Sequence, residues 1–336
     1  METIFRFVNY GERFEPAPRT LVLDVGMATI PGVIDHHHPE AEAECTASLI
    51  AKYPHLILGH IRPDEPLTIV THILPDFDSL SSIFLALKLV ESGSMNPSLH
   101  KLAAYARIVD SASLPKHIDL SGTPYAILRA LFSGSKKSEE DINRDRIEEG
   151  LKFMRFLYAR VEEGLEILEN RSLFSGIDRY ERAMRKVEAD YFRYLEDLGR
   201  GLKVRVNLPA TGGKGKKSLD GLVVANPKSF LLKEWARRDR DHTSFGEGFG
   251  FTMISFGDSR YILGVDPGRG VNLRGLGTIL NQKEAERRIA ESRAFPRPWY
   301  EGNCPFFDYR IIDTPQDGTA LSQTEILEAV SAFGNI

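Results

Sequence analysis

Only two cysteines occur in the 336 residues, Cys45 and Cys304, far apart and without metal-ligand spacing. Their scarcity excludes a disulfide framework and a zinc ribbon, and it fits a reducing, cytoplasmic setting. A strong excess of charge of either sign is missing too. The formal net charge is −4, so no general attraction to nucleic acid follows, although a local basic surface is compatible with it. No run approaches the ~20 apolar residues that a membrane-spanning helix requires. The opening stretch "METIFRFVNYGERFEP" has no basic head followed by an apolar segment, so neither a secretory signal nor a membrane partner is expected. Histidine is also rare, with nine in the chain, yet three of the nine sit together in "GVIDHHHPE" at 32–40.

What is present describes a globular protein. Apolar residues make up 42% and charged residues 27%, which suits a packed core rather than disorder. The length exceeds what one ordinary core serves, so two domains are expected. In the first part, "TLVLD" (20–24), "GVID" (32–35) and "LTIVT" (67–71) are short apolar runs that end in polar residues. Each reads as a buried parallel strand. Helical spacing covers 44–52, 79–91 and 98–107, with Ser79 as a candidate cap for the second of these. Strands alternating with helices predict an α/β domain with a doubly wound parallel sheet. Ligands of such sheets bind beyond the carboxyl ends of the strands, where Asp24, His36, His72 and Asp76 would gather. The polar stretch 133–143 marks a boundary, and 144–200 reads as a long helical pair with a solvated, mixed-charge face. From 201 the strands "LKVRVNL", "SLDGLVVAN", "FGFTMISFG" and "SRYILGVDP" and the helix "KEAERRIAESR" predict a mixed α+β domain. The expected division is therefore 1–135, a helical connector at 136–200, and a smaller C-terminal domain at 201–336.

The second chemically informative stretch is "THILPDFDS" at 71–79, in which His72, Asp76 and Asp78 keep the spacing H-x3-D-x-D. Carboxylates two residues apart in an extended segment point the same way and can serve one ion or two neighbouring ions. Imidazole with carboxylate suits Mn²⁺ or a similar divalent ion. A pair of ions can clamp a phosphoryl group and ionise an attacking water. Taken singly, "DFDS" also reads as a helix cap, "DHHH" as a polar turn, and Asp110 as a turn cap with Ser111 and Ser113.

"IDHHHPE" together with "THILPDFDSLSS" resembles the DHH phosphoesterases, a family of RecJ-type exonucleases, oligoribonuclease-like enzymes, cyclic-dinucleotide phosphodiesterases and manganese-dependent pyrophosphatases. The resemblance covers about residues 20–115. It implies a two-metal hydrolase with Mn²⁺, or Mg²⁺ in its place, and a smaller C-terminal domain that holds substrate. It further implies His36, His72, Asp76, Asp78 and Asp110 as metal ligands and Asp24 as the carboxylate shared by both ions. His37 would sit over the reacting phosphate, and His38 is the alternative for that part. The order departs from the family's, because "DHHH" here precedes the H-x3-D-x-D strand, as in a circular permutation. The usual Gly-Gly-Gly-His run of the second domain is missing.

In that second domain, Arg269 and Arg274 in "DPGRGVNLRGLG" are candidate phosphate ligands, since guanidinium forks match phosphate oxygens. The lysines of "TGGKGKKS" (211–218) and the segment "RPWYEGNCPFF" (297–307) are further candidates, and Trp299 and Tyr300 would either stack on a base or pack in a core. The expected partner is a short or cyclic nucleotide, or a short single strand; pyrophosphate or polyphosphate is the alternative substrate. A non-catalytic metal or nucleotide sensor is the alternative class, and homodimerisation stays open.

Overall fold

A computed structural model describes residues 2–61, 66–134, 138–213, 215–294, 297–315 and 317–334. It is a mixed α/β protein with two five-stranded mixed sheets. In chain order the first elements are β1 (Thr3–Val8), β2 (Thr20–Leu23), β3 (Thr29–Ile30), β4 (Val33–Ile34), α1 (Thr46–Lys52), α2 (His55–Leu58), β5 (Leu67–His72), α3 (Phe77–Ser92), α4 (Pro97–Asp110), α5 (Pro124–Phe132), α6 (Glu139–Glu162) and α7 (Asp178–Arg200). The chain then continues through β6 (Leu202–Pro209), β7 (Lys216–Ala225), α8 (Leu232–Arg238), β8 (Phe251–Phe256), β9 (Arg260–Val265), α9 (Leu276–Ala290), β10 (Ile311–Asp313) and α10 (Gln323–Phe333).

Two compact units result: Met1–Val187 with Cys304–Phe306, and Glu188–Asn303 with Phe307–Ile336. The division falls within α7, and α6 belongs to the first unit, packed on α3, α4 and α5. The boundary expected near 135 lies on residues outside those described.

The first sheet runs β1-β5-β2-β4-β3. β1, β5, β2 and β4 are mutually parallel, whereas β3 runs antiparallel to β4. A wholly parallel sheet was expected, and the two-residue β3, folded back by the turn at Pro31–Gly32, makes it mixed. Gly32 has φ +84°, and a Cβ there would meet the His60 ring at 2.4 Å, so that turn admits only glycine. β2, β4 and β5 are buried runs rich in Leu, Val and Ile, and the carboxyl ends of the parallel strands emerge on one edge of the sheet.

Asp76 rather than Ser79 caps α3, accepting a hydrogen bond from the Ser79 amide at 3.1 Å. α6 carries the expected mixed-charge, solvated face, and its opposite face is buried. Its Asn143, Ile147, Leu151, Phe153, Met154 and Leu157 are buried, and Gly150 lies so close to α3 that a Cβ would meet Leu80 at 2.5 Å.

In the second unit the sheet runs β10-β9-β8-β7-β6, with only β7 and β8 parallel. Trp299, 2% exposed, joins the core built on this sheet, so packing is the role it fills. Two buried aspartates of α7 organise the segment before α8. Asp197 accepts the amides of Lys228 and Ser229, and Asp190 accepts those of Phe230 and Leu231. On β10, burial pushes the Asp313 carboxyl up to about 6, against the opposing charges of Lys233 and Arg260. The native state therefore holds this proton more tightly than the unfolded chain. The stability it contributes is complete below the ordinary value of 3.8 and is lost as pH rises through about 6. Asp313→Asn is expected to raise stability at pH 8 by up to about 3 kcal/mol and to change it little at pH 4. Urea midpoints at the two pH values check this.

Candidate metal centre

The site is built where β2, β4 and β5 end. Asp24 follows β2 directly and adopts φ +63°, a left-handed conformation that aspartate tolerates better than most residues. Its amide donates to the Ile34 carbonyl at 3.0 Å, so the strand pairing holds the backbone while the carboxylate turns inward. Asp35, His36 and His37 follow β4, and His72 ends β5. Asp76 and Asp78 open α3, and Asp110 closes α4.

These side chains converge. Asp24, His72 and Asp76 form one group whose ligand atoms lie within 4.8 Å of one another, and His36, Asp78 and Asp110 form a second. Asp24, Asp35, His36 and His37 make a third. His72 Nε2 lies 3.2 Å from Asp24 Oδ2, and His36 Nε2 lies 3.3 Å from Asp110 Oδ2. Donor atoms that share an ion through bonds of about 2.0–2.2 Å stand about 3.0–3.4 Å apart, so both separations suit a common cation. The two Asp24 oxygens face different ways: Oδ2 toward His72, and Oδ1 toward His36 Nδ1 at 3.5 Å.

Hydrogen bonds fix the imidazole tautomers. Thr46 Oγ1 donates to Asp24 Oδ1 and so accepts from His36 Nδ1, 3.0 Å away. The lone pair of His36 then sits on Nε2, toward Asp110. His72 Nδ1 donates to the Ile73 carbonyl at 2.7 Å, so a neutral ring has its lone pair on Nε2, toward Asp24, whereas the protonated ring donates from Nε2 to Asp24. Such outer contacts are what orient metal-binding imidazoles. Asp78 accepts the amides of Thr46 and Ala47 at the start of α1, which leaves further lone pairs on each oxygen. Asp76 uses one oxygen for its capping bond, so capping does not exclude a part in holding a cation. Asp110 takes no part in the contact between Ser111 and Ser113.

The electrostatics are those of acids crowded together. Burial, reinforced by the charges of Asp24 and Asp76, pushes the Asp78 carboxyl well above its usual range. Burial and the charges of Asp78, Asp76 and Asp24 do the same to Asp110. Burial works against ionisation of Asp24 as well, but the His72 hydrogen bond and the neighbouring imidazoles hold it well below the usual range. Like charges held this close favour a cation among them. His37 differs. Burial opposes its charge, yet the charge and hydrogen bond of Asp35, with Asp24 and Asp76, carry it up to about 9.

His38 turns away, with Nε2 3.2 Å from Thr29 Oγ1 and Nδ1 3.4 Å from Glu40, and it joins none of the three groups. Arg269 and Arg274 belong to the second unit. The Arg269 guanidinium is engaged by Glu247, the Gly248 carbonyl and Asp266. Arg274 lies over the Tyr309 ring at 4.4 Å and 3.6 Å from Asp308. In the glycine-rich tip, Lys214 lies outside the described residues, and Lys217 donates to the Arg269 carbonyl at 2.9 Å. From the segment 297–307, Cys304–Phe306 group with the first unit, and the Phe306 ring stands edge-on to His36 at 5.0 Å.

Several contributors carried no sequence signal of their own. Asp35 accepts from His37 Nδ1 at 2.7 Å, and its other oxygen accepts the Met27 amide; only its place before the histidines pointed to it. The Ser79 hydroxyl donates to Asp24 at 2.7 Å and also contacts His72 and Asp76. Tyr10, in the loop after β1, stacks on His72 at 4.2 Å with its hydroxyl 3.1 Å from Nε2. No model of a known protein family matches this chain, and no curated protein matches its sequence.

Proposed function

We propose that the chain is a two-metal phosphoesterase of the DHH kind, with its N-terminal unit as the catalytic domain. In this reading it hydrolyses phosphodiester bonds of short or cyclic nucleotides. The observation that carries the reading is Asp24, one oxygen of which faces His72 in one ligand group while the other faces the His36 ring, a member of the second. His72, Asp76 and Asp24 would hold one divalent cation, and His36, Asp78 and Asp110 with Asp24 a second; Mn²⁺ is the first choice and Mg²⁺ the alternative. Bound there, the ions supply an ionised water and positive charge for phosphoryl oxygens.

The chain's own residues do the rest. Asp35 fixes the His37 ring through Nδ1, so Nε2 is the nitrogen that would meet a phosphoryl oxygen or the leaving group. The charge and hydrogen bond of Asp35 favour the cationic form of the ring, which suits anion binding and proton donation. Thr46 and Ser79 hold the shared Asp24 in place. Burial of Asp24, His36, His72 and Asp78 limits the water that competes for them.

The test is turnover. Mn²⁺-loaded protein is expected to hydrolyse bis-p-nitrophenyl phosphate, and a screen of short oligonucleotides, cyclic dinucleotides and pyrophosphate then ranks substrates. Asp76→Ala is expected to abolish activity and remove one of two metal equivalents. Nucleotide binding without hydrolysis by metal-loaded protein would favour a sensor instead.

A further inference from the structure

Arg146 reaches from α6 to the loop that delivers Asp76. Its Nη1 donates to the carbonyls of Leu74 at 2.8 Å and Pro75 at 3.4 Å. The guanidinium lies over the Phe132 ring, 5.1 Å from its centroid, which sets the plane of the fork. Its Nε is buried and has no hydrogen-bond partner among the described residues. A desolvated guanidinium N–H without an acceptor is costly and asks for an explanation.

Arg129 shares this surface. It precedes Phe132 by three residues on α5, and residues three apart lie on one helix face. Burial and the nearby Arg129 charge push the Arg146 guanidinium below its ordinary range, against the opposing pull of Asp76 and Tyr10. The Arg146 fork is thus held beside the Asp76 loop, with the Arg129 charge close enough to act on it. Tyr10 extends the same wall, since its ring stacks on His72.

We propose that Arg146 and Arg129 form an oxyanion subsite in the first unit, which takes a phosphate group beside Asp76. A planar fork offers a tetrahedral oxyanion two parallel N–H donors. An oxyanion there would give the buried Nε its acceptor and relieve the repulsion between the guanidiniums. The choice of phosphate rests on the phosphoesterase reading; the existence of an anion site does not. It assigns anion recognition to α5 and α6 of the first unit, whereas Arg269 is already engaged by Glu247 and Asp266.

The experiment titrates inorganic phosphate into Mn²⁺-supplemented full-length wild type, Arg146→Gln, Arg146→Lys and Arg129→Gln, with bound metal measured in each. Arg146→Gln is expected to weaken phosphate about tenfold and Arg129→Gln about threefold, with metal content as in wild type. Arg146→Lys is expected to recover only part of the affinity, because an ammonium lacks the fork. Unchanged affinity in Arg146→Gln overturns the subsite. So does a loss of phosphate accompanied by loss of metal, since Arg146 would then act only by tethering the Asp76 loop. If wild type takes up no Mn²⁺, the metal-centre reading fails by itself. The same titration without metal then decides: weaker binding by Arg146→Gln supports the subsite, and equal or absent binding in both proteins overturns it.

Discussion

Asp24→Asn is expected to reduce turnover to background, a loss of about four orders of magnitude or more. An amide keeps the size and one acceptor of the carboxylate but loses its charge and one of its two acceptor oxygens. In the native chain Oδ1 faces His36 and Oδ2 faces His72, so one substitution weakens both ligand groups at once. The variant should therefore bind fewer than two metal equivalents, and those more weakly. Without metal its stability should fall modestly at neutral pH. The ionised carboxylate that His72 and the neighbouring imidazoles hold below its usual range, and that accepts from Thr46 and Ser79, is gone. Relief of the raised Asp78 and Asp110 carboxyls offsets part of the loss. A chelator-treated thermal melt beside a metal titration separates these effects. A collapse of the metal-free fold would mean that Asp24 serves chiefly the β2 turn.

His37→Ala is expected to show the opposite pattern. Turnover should fall by about 10²–10⁴-fold, the range for loss of a positioned proton donor, while two metal equivalents remain. The reason lies in its partners: His37 Nδ1 bonds Asp35, 1% exposed behind it, rather than the Asp76 or Asp110 groups. Equal metal loss in His37→Ala and Asp24→Asn would remove this division of labour. Measuring kcat and KM with metal content in the same preparations checks it.

Much of the centre was legible because its residues carry distinctive chemistry at fixed spacing. "DHHH" and H-x3-D-x-D held four of the six candidate ligands, His36, His72, Asp76 and Asp78, with Asp24 and Asp110 added by the resemblance. The apolar runs before the motifs named the strands whose carboxyl ends bring them together. The candidate residues come together despite the inverted order of the motifs, because β5, β2 and β4 are neighbours in the sheet whatever their order in the chain. Other features were hidden for identifiable reasons. β1 is an edge strand with only intermediate burial, so "TIFRFV" lacks the all-apolar run that marked β2 and β5. The mixed charges of 144–162 concealed a helix with one buried face, because its other residues are salt-bridged Glu, Lys and Arg. Thr46, Ser79 and Tyr10 are common residue types whose importance comes only from where the fold puts their hydroxyls. Arg269 shows the converse: its glycine-flanked setting looked like an anion cradle, yet the acceptors it meets are the protein's own Glu247, Gly248 and Asp266.

Anomalous diffraction at the manganese edge from Mn²⁺-soaked crystals addresses the placement of the ions most directly. Two peaks about 3.5–4 Å apart are expected, one among His72, Asp76 and Asp24 and the other among His36, Asp78, Asp110 and Asp24. Metal found elsewhere in the chain, or no peak within reach of Asp24 at saturating Mn²⁺, would contradict the idea that these scattered acids and imidazoles form one dinuclear centre.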